Sequence, residues 1–395
     1  MEDEVLLHYP PHRHPEPPPH HHHPEPPHHP EPPRRPTPFI AHAGFLARTA
    51  VAQKPKALIV FRNPNIDSPD AHHEGLGITA LNAALSLHDL QVGADAAAVT
   101  NGEYLWSQLA PDGQWSSYTH IALSAPFIDA DFLGKMFNHF PKKRFALIYH
   151  SNLGFLTQDH FAGVSIPKYL DLQKRCPNFW LASNCAGLSA GISEGTGLVL
   201  HYLPNLYHIP HEVRERSGAW APGKPLNVGL FGAARLLKNW PTAAVAAMIM
   251  QRTLHVDVRL HVSQDRDEGA GATRDILDAL IALNPRVTQV PAPWLKHDDF
   301  RRYLYGMDLL LQPSYSESFN NVTADGVFSG VPSVVSQAIG WVPPEWTAHA
   351  DSAISVAEVG CALLHDKDAV QKGWNALVAY NTAGGEAWMH WLGEK

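Results

Sequence analysis

The chain has 395 residues, a length that suits roughly two or three domains, each large enough for its own hydrophobic core. Its 45% hydrophobic content is typical of a globular protein, and no apolar stretch approaches the length of a transmembrane segment. The net charge of −8 disfavours general nucleic-acid binding, while three widely spaced cysteines and an N-terminus without a secretory pattern favour a cytoplasmic protein over a disulfide-rich or zinc-bound one.

Residues 1–38 are rich in proline and histidine, and Pro-Glu-Pro-Pro recurs from Pro15, Pro24 and Pro30. They offer almost no apolar side chains to bury, so we expect a disordered tail. Histidine-rich tracts can bind transition-metal ions, but a solvated tail with no assigned role is the simpler interpretation.

From residue 56 the chain alternates short apolar runs with segments of helical periodicity. The first half predicts strands at 57–61, 92–99, 120–124, 145–149, 179–182 and 198–203, and helices at 75–87, 131–139 and 167–175. This alternation is typical of a parallel sheet covered by helices on both faces.

The alternation begins again after a loop at 217–225 that is rich in Pro and Gly. The second half predicts strands at 227–232, 256–262, 287–290, 309–311 and 330–335, and helices at 241–252, 273–283, 298–305 and 369–391. Asn239 is the expected N-cap of the first of these helices. We therefore predict an α/β protein with two doubly wound, Rossmann-like parallel-sheet domains that face a cleft, with a hinge near residue 208.

The strand predicted at 309–311 leads into a loop that carries the acidic residue Glu317. A helical segment follows and places Asp325 eight residues later. Open α/β sheets bind ligands at the carboxyl ends of their strands, and the free N–H groups at the start of a helix attract phosphate. The pattern therefore predicts a ligand site, although a Glu that merely caps a helix would produce a similar sequence.

This arrangement resembles the donor-sugar motif of retaining GT-B glycosyltransferases of family 4, in which two Glu residues lie eight apart. The resemblance implies that Glu317 binds hydroxyls of the donor sugar, and that Ser318, Phe319 and Asn320 reach the sugar or the phosphates. Asp325 takes the position that binds the ribose hydroxyls, which suits a carboxylate because it accepts two hydrogen bonds. The chain departs from the family in having Asn320 in place of Gly and Asp325 in place of Glu.

The same resemblance implies a division into domains. Residues 39–208 form an acceptor-side domain and residues 209–368 a donor domain that binds the nucleotide sugar. The last segment, 369–395, crosses back to pack on the N-terminal domain.

Arg235 and Lys238 follow the first strand of the second domain. Cations are unfavourable at the start of a helix because the helix dipole is positive there, so their position favours an anionic partner over a solvated surface. Family 4 enzymes carry an Arg and a Lys here that contact the donor diphosphate. Fixed cations stabilise the negative charge that develops on a departing diphosphate.

Two residues of the first domain also fit the resemblance. His150 ends a predicted strand, where relatives have a His near the donor sugar, and Gly77 lies in the place of the family's Gly-rich first turn. A structural role for a strand-end His remains the alternative. Pro204 and Asn205 resemble the Pro-Asn pair that closes the first domain and are expected to serve the hinge.

No catalytic metal is expected. Asp129 and Asp131 lie where a helix is predicted to begin, and Asp265 and Asp267 lie in a polar loop. Neither Asp-x-Asp pair has the setting of the metal-binding motif of GT-A enzymes.

The resemblance implies a retaining, metal-independent hexosyltransferase that moves a sugar from a UDP- or GDP-sugar to a hydroxyl of a glycan, lipid, protein or nucleic acid. Its catalytic residues would be Glu317, Arg235, Lys238 and His150. The alternatives are a non-catalytic module that binds nucleotide sugars or glycans, a GT-B-fold sugar-nucleotide epimerase, and a glucosyltransferase of DNA or another polymer. The acceptor and the oligomeric state do not follow from the sequence.

Overall fold

A computed structural model describes residues 56–64, 66, 75–209, 220–269 and 271–393. The tail at 1–38 lies outside these residues, as do most of the loop before the first helix and the segment 210–219 beside the predicted hinge.

The first half of the described chain forms a six-stranded parallel sheet in the order β2-β1-β3-β4-β5-β6. Its strands are β1 (Ala57–Arg62), β2 (Ala94–Val99), β3 (His120–Leu123), β4 (Arg144–Tyr149), β5 (Phe179–Ser183) and β6 (His201–Tyr202). The accompanying helices are α1 (Gly75–Asp89), α2 (Gly102–Leu109), α3 (Ala130–His139), α4 (His160–Arg175) and α5 (Ala186–Thr196).

The second half forms another six-stranded parallel sheet, in the order β12-β11-β10-β7-β8-β9. Its strands are β7 (Leu226–Leu230), β8 (Val258–Ser263), β9 (Val287–Ala292), β10 (Leu309–Gln312), β11 (Ser333–Ser336) and β12 (Thr347–Ala348). The helices are α6 (Trp240–Leu254), α7 (Gly271–Ile281), α8 (His297–Leu304), α9 (Asn321–Phe328), α10 (Ala353–His365) and α11 (Ala369–Leu392).

Helices cover both faces of each sheet, so alternate residues of one strand enter different cores. Leu58 and Val60 of β1 join one hydrophobic cluster, whereas Ile59 joins another on the opposite face. In β10, Leu309 and Leu310 likewise enter different clusters. Strands buried on both faces read as continuous apolar runs, which is why the sequence revealed them. The predicted fold of two doubly wound parallel sheets is confirmed.

Each sheet has a point at which successive connections run in opposite directions. In the first sheet β1 lies between β2 and β3, and in the second sheet β7 lies between β8 and β10. The carboxyl ends of strands at such switch points are the places where open α/β sheets bind ligands. The loops after β7 and β10 are therefore positioned for binding.

The last helix, α11, packs on both halves of the chain. Trp374 and Leu377, near its start, belong to the core of the second sheet, whereas Trp388 and Trp391 pack under the first sheet. Near its middle, the Asn381 side chain accepts a hydrogen bond of 3.0 Å from the backbone N–H of Tyr207. Within the described residues, no helix combines the length and apolar character needed to cross a membrane.

Two local predictions need correction. Helix α4 does not begin at Pro167: it begins at His160, with Asp159 accepting a hydrogen bond from Ala162 N, and Pro167 lies on its exposed side. An exposed position tolerates proline better, because water can bind the carbonyl that loses its N–H partner. Asn239 is the N-cap residue of α6, as predicted, but its side chain makes no capping hydrogen bond, because its amide donates to the carbonyls of Pro313 and Ala350.

Three helices were not predicted, and one strand is shorter than predicted. Helices α2, α5 and α10 were not predicted, and β6 has two residues instead of the six expected at 198–203. Helix α5 contains three Gly and three Ser or Thr residues in its eleven positions, a composition that hides helical periodicity.

Candidate functional site

A cavity of about 350 Å³ lies between the carboxyl ends of the two sheets, at their switch points. Eight of the nine predicted site residues line it: His150, Arg235, Lys238, Glu317, Ser318, Phe319, Asn320 and Asp325. Gly77 is the exception, because α1 already begins at Gly75 and Gly77 is buried within the helix. Its neighbours Leu76 and Ile78 do line the cavity.

Lys238 and Glu317 form an ion pair at the floor of this cavity. The distance from Lys238 Nζ to Glu317 Oε1 is 2.5 Å, and the side chains are 12% and 13% exposed. Lys238 ends a short 3-10 helix after β7, and it approaches the turn at Gly232, whose φ of 111° favours glycine. A Cβ at Gly232 would lie 3.6 Å from Lys238 Nζ, an ordinary contact distance, so the positive φ and not a lack of space favours glycine here.

One oxygen of Glu317 is saturated by the protein while the other is not. Besides Lys238, the Ser314 hydroxyl and the Asn320 amide donate to Oε1, at 3.0 and 3.2 Å. None of the hydrogen bonds found among the described residues reaches Oε2. The carboxylate is therefore held in one orientation with an acceptor oxygen available to a ligand.

Arg235 is held by a counter-charge that was not predicted. Its Nε lies 2.5 Å from Glu268 Oε2, and the second oxygen of Glu268 is 2.7 Å from Nε of Arg266, another cavity residue. The Arg235 guanidinium also lies over the ring of Phe155, which belongs to the first half of the chain, at 5.2 Å from its centre. The cavity thus brings together three cations, Arg235, Lys238 and Arg266, whose guanidinium and ammonium groups are suited to the oxygens of a multiply charged anion.

Asn320 stands where the resemblance leads one to expect glycine. Its φ is 68°, a left-handed conformation that Asn tolerates better than most residues, so the backbone keeps the shape that glycine would give. Its side-chain Oδ1 accepts a hydrogen bond of 2.9 Å from Thr323 N and caps α9. Its amide also steadies Glu317. The Asn320 amide also donates to Gln312 Oε1, so the substitution preserves the turn and adds three hydrogen bonds to it.

Asp325 is buried in α9 with three hydrogen-bond donors around Oδ1. Tyr207 Oη lies at 2.5 Å, His297 Nε2 at 2.7 Å and Arg301 Nε at 3.0 Å. Burial by itself raises the pKa of Asp325, but His297, Arg301 and the Tyr207 hydroxyl outweigh this effect and hold the pKa below its ordinary value. No hydrogen bond from the described residues reaches Oδ2, so this oxygen remains for a ligand.

His150 follows β4 and contributes one buried ring nitrogen to the cavity. Burial lowers its pKa to about 4, so the imidazole is neutral at neutral pH. The Asn184 amide lies 3.1 Å from Nδ1 and can donate to it, which places the ring proton on Nε2. Nε2 is buried and has no hydrogen-bond partner among the described residues. A neutral His with a free N–H is a hydrogen-bond donor for a ligand oxygen.

Two asparagines of the first half bind the loop that carries Glu317. Asn152 Nδ2 donates to the backbone carbonyl of Glu317 at 2.9 Å, and Ser316 Oγ donates to Asn152 Oδ1 at 2.5 Å. Asn184 Nδ2 lies 3.2 Å from Ser318 Oγ. These bonds form a bridge across the cleft, so the loop is positioned by both halves of the protein.

The two Asp-x-Asp pairs have the settings expected of them. Asp129 caps α3 by accepting a hydrogen bond of 2.9 Å from Phe132 N. Asp265 accepts one of 2.7 Å from Trp294 N, and Asp267 lies 3.4 Å from Arg274 Nε.

Comparisons with known proteins identify the fold. No protein-family model matches the chain, and no curated protein matches it. Among solved structures, it is similar to sucrose-phosphate synthase from Thermosynechococcus elongatus, with 15% identity and a TM-score of 0.57 over 85% of this chain and 98% of that one. The fold is that of a GT-B glycosyltransferase.

Two further structures show the same likeness. A UDP-forming α,α-trehalose-phosphate synthase from Burkholderia xenovorans has 10% identity and a TM-score of 0.54, over 86% of this chain and 98% of that one. A trehalose-6-phosphate protein from E. coli, bound with UDP-2-fluoro glucose, has 10% identity and a TM-score of 0.52, over 85% and 97%. Such identities show the shared GT-B fold alone.

Sequence reasoning missed the residues that hold the cavity-lining side chains in place through hydrogen bonds and ion pairs. His297 and Arg301 lie four apart on α8, a spacing that places both on one helix face, and they were a readable signal. Glu268, Asn152 and Asn184 carried no such signal, because each lies in a loop whose partners are distant in sequence.

Proposed function

We propose that this protein is a glycosyltransferase that moves a sugar from a nucleoside diphosphate sugar, UDP- or GDP-linked, to a hydroxyl acceptor. The observation that carries the proposal is the pair of Lys238 and Glu317 facing the cavity at the start of α9. A fixed cation next to a carboxylate with one free oxygen can bind a phosphate and a sugar hydroxyl side by side. We further propose a retaining mechanism without a metal, as in family 4.

The cations are assigned to the diphosphate. When the ligand binds, the ion pairs of Lys238 with Glu317 and of Arg235 with Glu268 would weaken. The two cations would then bind the phosphate oxygens and stabilise the charge on the departing diphosphate. The N-terminus of α9 lies on the same side of the cavity and adds its partial positive charge.

Uncharged and acidic groups are assigned to the sugar and the ribose. Glu317 Oε2 accepts from a sugar hydroxyl, and the Nε2–H of His150 donates to a sugar or phosphate oxygen. Asp325 offers Oδ2 to one ribose hydroxyl, so a second hydroxyl would need another partner. Ser318, Phe319 and Asn320 bring the backbone of the loop close to the ligand.

The proposed step needs no protein nucleophile. The bond between the sugar C1 and the β-phosphate oxygen breaks, the acceptor oxygen bonds to C1 on the same face, and the acceptor proton passes to the departing diphosphate. Holding donor and acceptor together in the cleft provides the proximity that such a step requires. We retain 39–208 and 209–368 as the proposed acceptor-side and donor domains, 369–395 as the returning segment, and a cytoplasmic location.

A thermal-shift and transfer experiment tests the proposal. UDP, GDP, UDP-glucose and GDP-mannose would be screened with EDTA present, and a ligand at a hundred times its Kd should add about 2.7 kcal/mol of stability. Lys238→Ala should abolish most of that gain, whereas Lys372→Ala should preserve it, because Lys372 pairs with Asp366 on the surface.

Several outcomes would decide against the proposal. Stabilisation by none of the four ligands would reject the nucleotide-sugar site. If the donor binds but is neither hydrolysed nor used to glycosylate any acceptor in a broad panel, a binding module is favoured. If the donor is converted to another nucleotide sugar without an acceptor, an epimerase is favoured. Dependence on a divalent ion would contradict the metal-independent mechanism.

A further inference from the structure

A second chamber of about 570 Å³ lies in the same cleft, beside the first cavity. It is bordered by the ends of β4, β5 and β6, by the loop after β11, and by α11. Asn152 and Asn184 line this chamber but not the first cavity, whereas Glu317 and Ser318 line both.

The chamber differs from the first cavity in its charges. The first cavity contains Arg235, Lys238 and Arg266, whereas none of the described residues lining the second chamber is Lys, Arg or His. Its one acidic side chain is Glu317, which is already paired with Lys238. A phosphate or carboxylate placed there would lose its hydration without gaining a cation, so the chamber disfavours anions.

The side chains that line the chamber combine aromatic surfaces with an unsatisfied polar atom. Tyr202, Trp341 and Tyr380 supply the aromatic surfaces. The Oδ1 of Asn184 is buried and makes none of the hydrogen bonds found among the described residues, whereas the hydroxyl of Tyr380 interacts with the hydroxyl of Tyr202. Buried polar atoms are normally satisfied, so an unsatisfied acceptor beside the chamber favours a ligand that donates a hydrogen bond.

We propose that the second chamber binds an uncharged, hydroxylated ring compound, such as a neutral sugar or glycoside, as the acceptor side of the reaction. Ring faces would pack on the aromatic side chains, and hydroxyls would hydrogen-bond to Tyr380 and Asn184. Because Glu317 and Ser318 border both spaces, a ligand here lies next to a sugar held by Glu317. The assignment to the acceptor rests on the proposed function, whereas binding itself does not.

Neutral and phosphorylated forms of one sugar provide the sharpest test. Glucose, mannose, methyl glucoside and maltose would be titrated by saturation-transfer NMR, beside glucose 6-phosphate and mannose 6-phosphate, with UDP present to occupy the first cavity. We expect saturable binding of at least one neutral compound, and binding at least about tenfold weaker for its phosphorylated counterpart, the factor that corresponds to 1.4 kcal/mol.

Two variants and a matched control locate the ligand. Tyr380→Phe removes a hydroxyl from a residue that lines the chamber, and Ala186→Leu places a larger side chain at the chamber wall on α5. Each should weaken binding of the neutral compound about five- to tenfold, the effect of one lost hydrogen bond or of partial filling. Ala190→Leu, exposed on the same helix and outside the lining, should leave binding unchanged.

The results that overturn the inference differ from those that overturn the proposed function. If UDP binds but no neutral sugar does, or if the phosphorylated sugar binds as well as the neutral one, the inference fails while the nucleotide site stands. Unchanged neutral-sugar binding in both Tyr380→Phe and Ala186→Leu would also overturn it. If neutral sugars bind but neither UDP nor GDP does, the nucleotide assignment fails and the chamber remains a sugar site.

Discussion

Replacing Glu317 with Gln should tighten binding of the free nucleotide and raise the Kd of the sugar nucleotide relative to that of the free nucleotide. The substitution removes the negative charge paired with Lys238 but keeps the size of the side chain. A carboxylate about 6 Å from a phosphate repels it by about 3 kcal/mol at an effective dielectric constant near 20, and water and salt in the open cleft reduce this. We therefore expect UDP or GDP, whichever is the ligand, to bind the variant more tightly by about 1–2 kcal/mol.

Binding of the sugar nucleotide gains the same free energy from the loss of repulsion, but it also loses the hydrogen bond between the Glu317 carboxylate and a sugar hydroxyl. A hydrogen bond between a charged group and a sugar hydroxyl contributes about 1.5–3 kcal/mol. The ratio of Kd for the sugar nucleotide to Kd for the free nucleotide should therefore rise by about ten- to 150-fold. The rate of transfer should fall about ten- to a hundredfold.

Calorimetric titration with both ligands, together with a melting curve, measures these quantities. Breaking a fully buried ion pair costs about 3–5 kcal/mol, but the cavity gives Lys238 access to water, so we expect a smaller loss of stability. Glu345→Gln removes an exposed partner of Lys372 and should change neither affinity. An unchanged Kd ratio in Glu317→Gln, with both ligands weakened in parallel and a lowered Tm, would refute the assignment and make the pair structural.

Three other substitutions test single features of the site. The His150→Gln variant should lose less stability in acid than the wild type. Because the pKa of His150 is about 4 in the folded protein and 6.5 ordinarily, the unfolding free energy of the wild type falls by up to about 3 kcal/mol between pH 6.5 and pH 4. Denaturant unfolding of both proteins at several pH values measures the difference. Glu268→Gln should tighten UDP binding at low salt, because it frees Arg235 and Arg266, with little change in Tm; weaker binding would contradict this. Asn320→Ala should lower unfolding free energy by about 1–3 kcal/mol and Asn320→Gly by less, since Gly adopts positive φ; equal losses would assign the effect to the side chain alone.

The sequence predicted the fold well because parallel strands buried on both faces leave a strong local signal. Runs such as Leu309–Leu311 and Phe145–Tyr149 fall within strands of the structure. The cavity residues were predictable for a related reason: Glu317 and Lys238 each follow a strand at a switch point, and the topology brings such loops together.

Contacts between distant loops were not predictable from local patterns. Glu268 binds Arg235 across 33 positions, and Asn184 binds Ser318 across 134, as their residue numbers show. No periodicity or propensity encodes such pairs, because they depend on how the two halves of the chain meet. Gly77 was predicted from its place in the sequence alone, and the structure puts it inside α1, which begins two residues earlier, and not in the cavity lining.

The departure at Asp325 is explained by its neighbours. An Asp side chain is one methylene shorter than Glu, so a carboxylate here lies deeper in α9 and is buried. A buried carboxylate is stable when it is paired, and His297 and Arg301 reach it from α8 while Tyr207 reaches it from the segment that joins the two halves. Asp325 thereby links the cavity that it lines to the segment that connects the two sheets. Occupancy of the cavity and the position of that connection should therefore depend on each other, because both act on the same carboxylate.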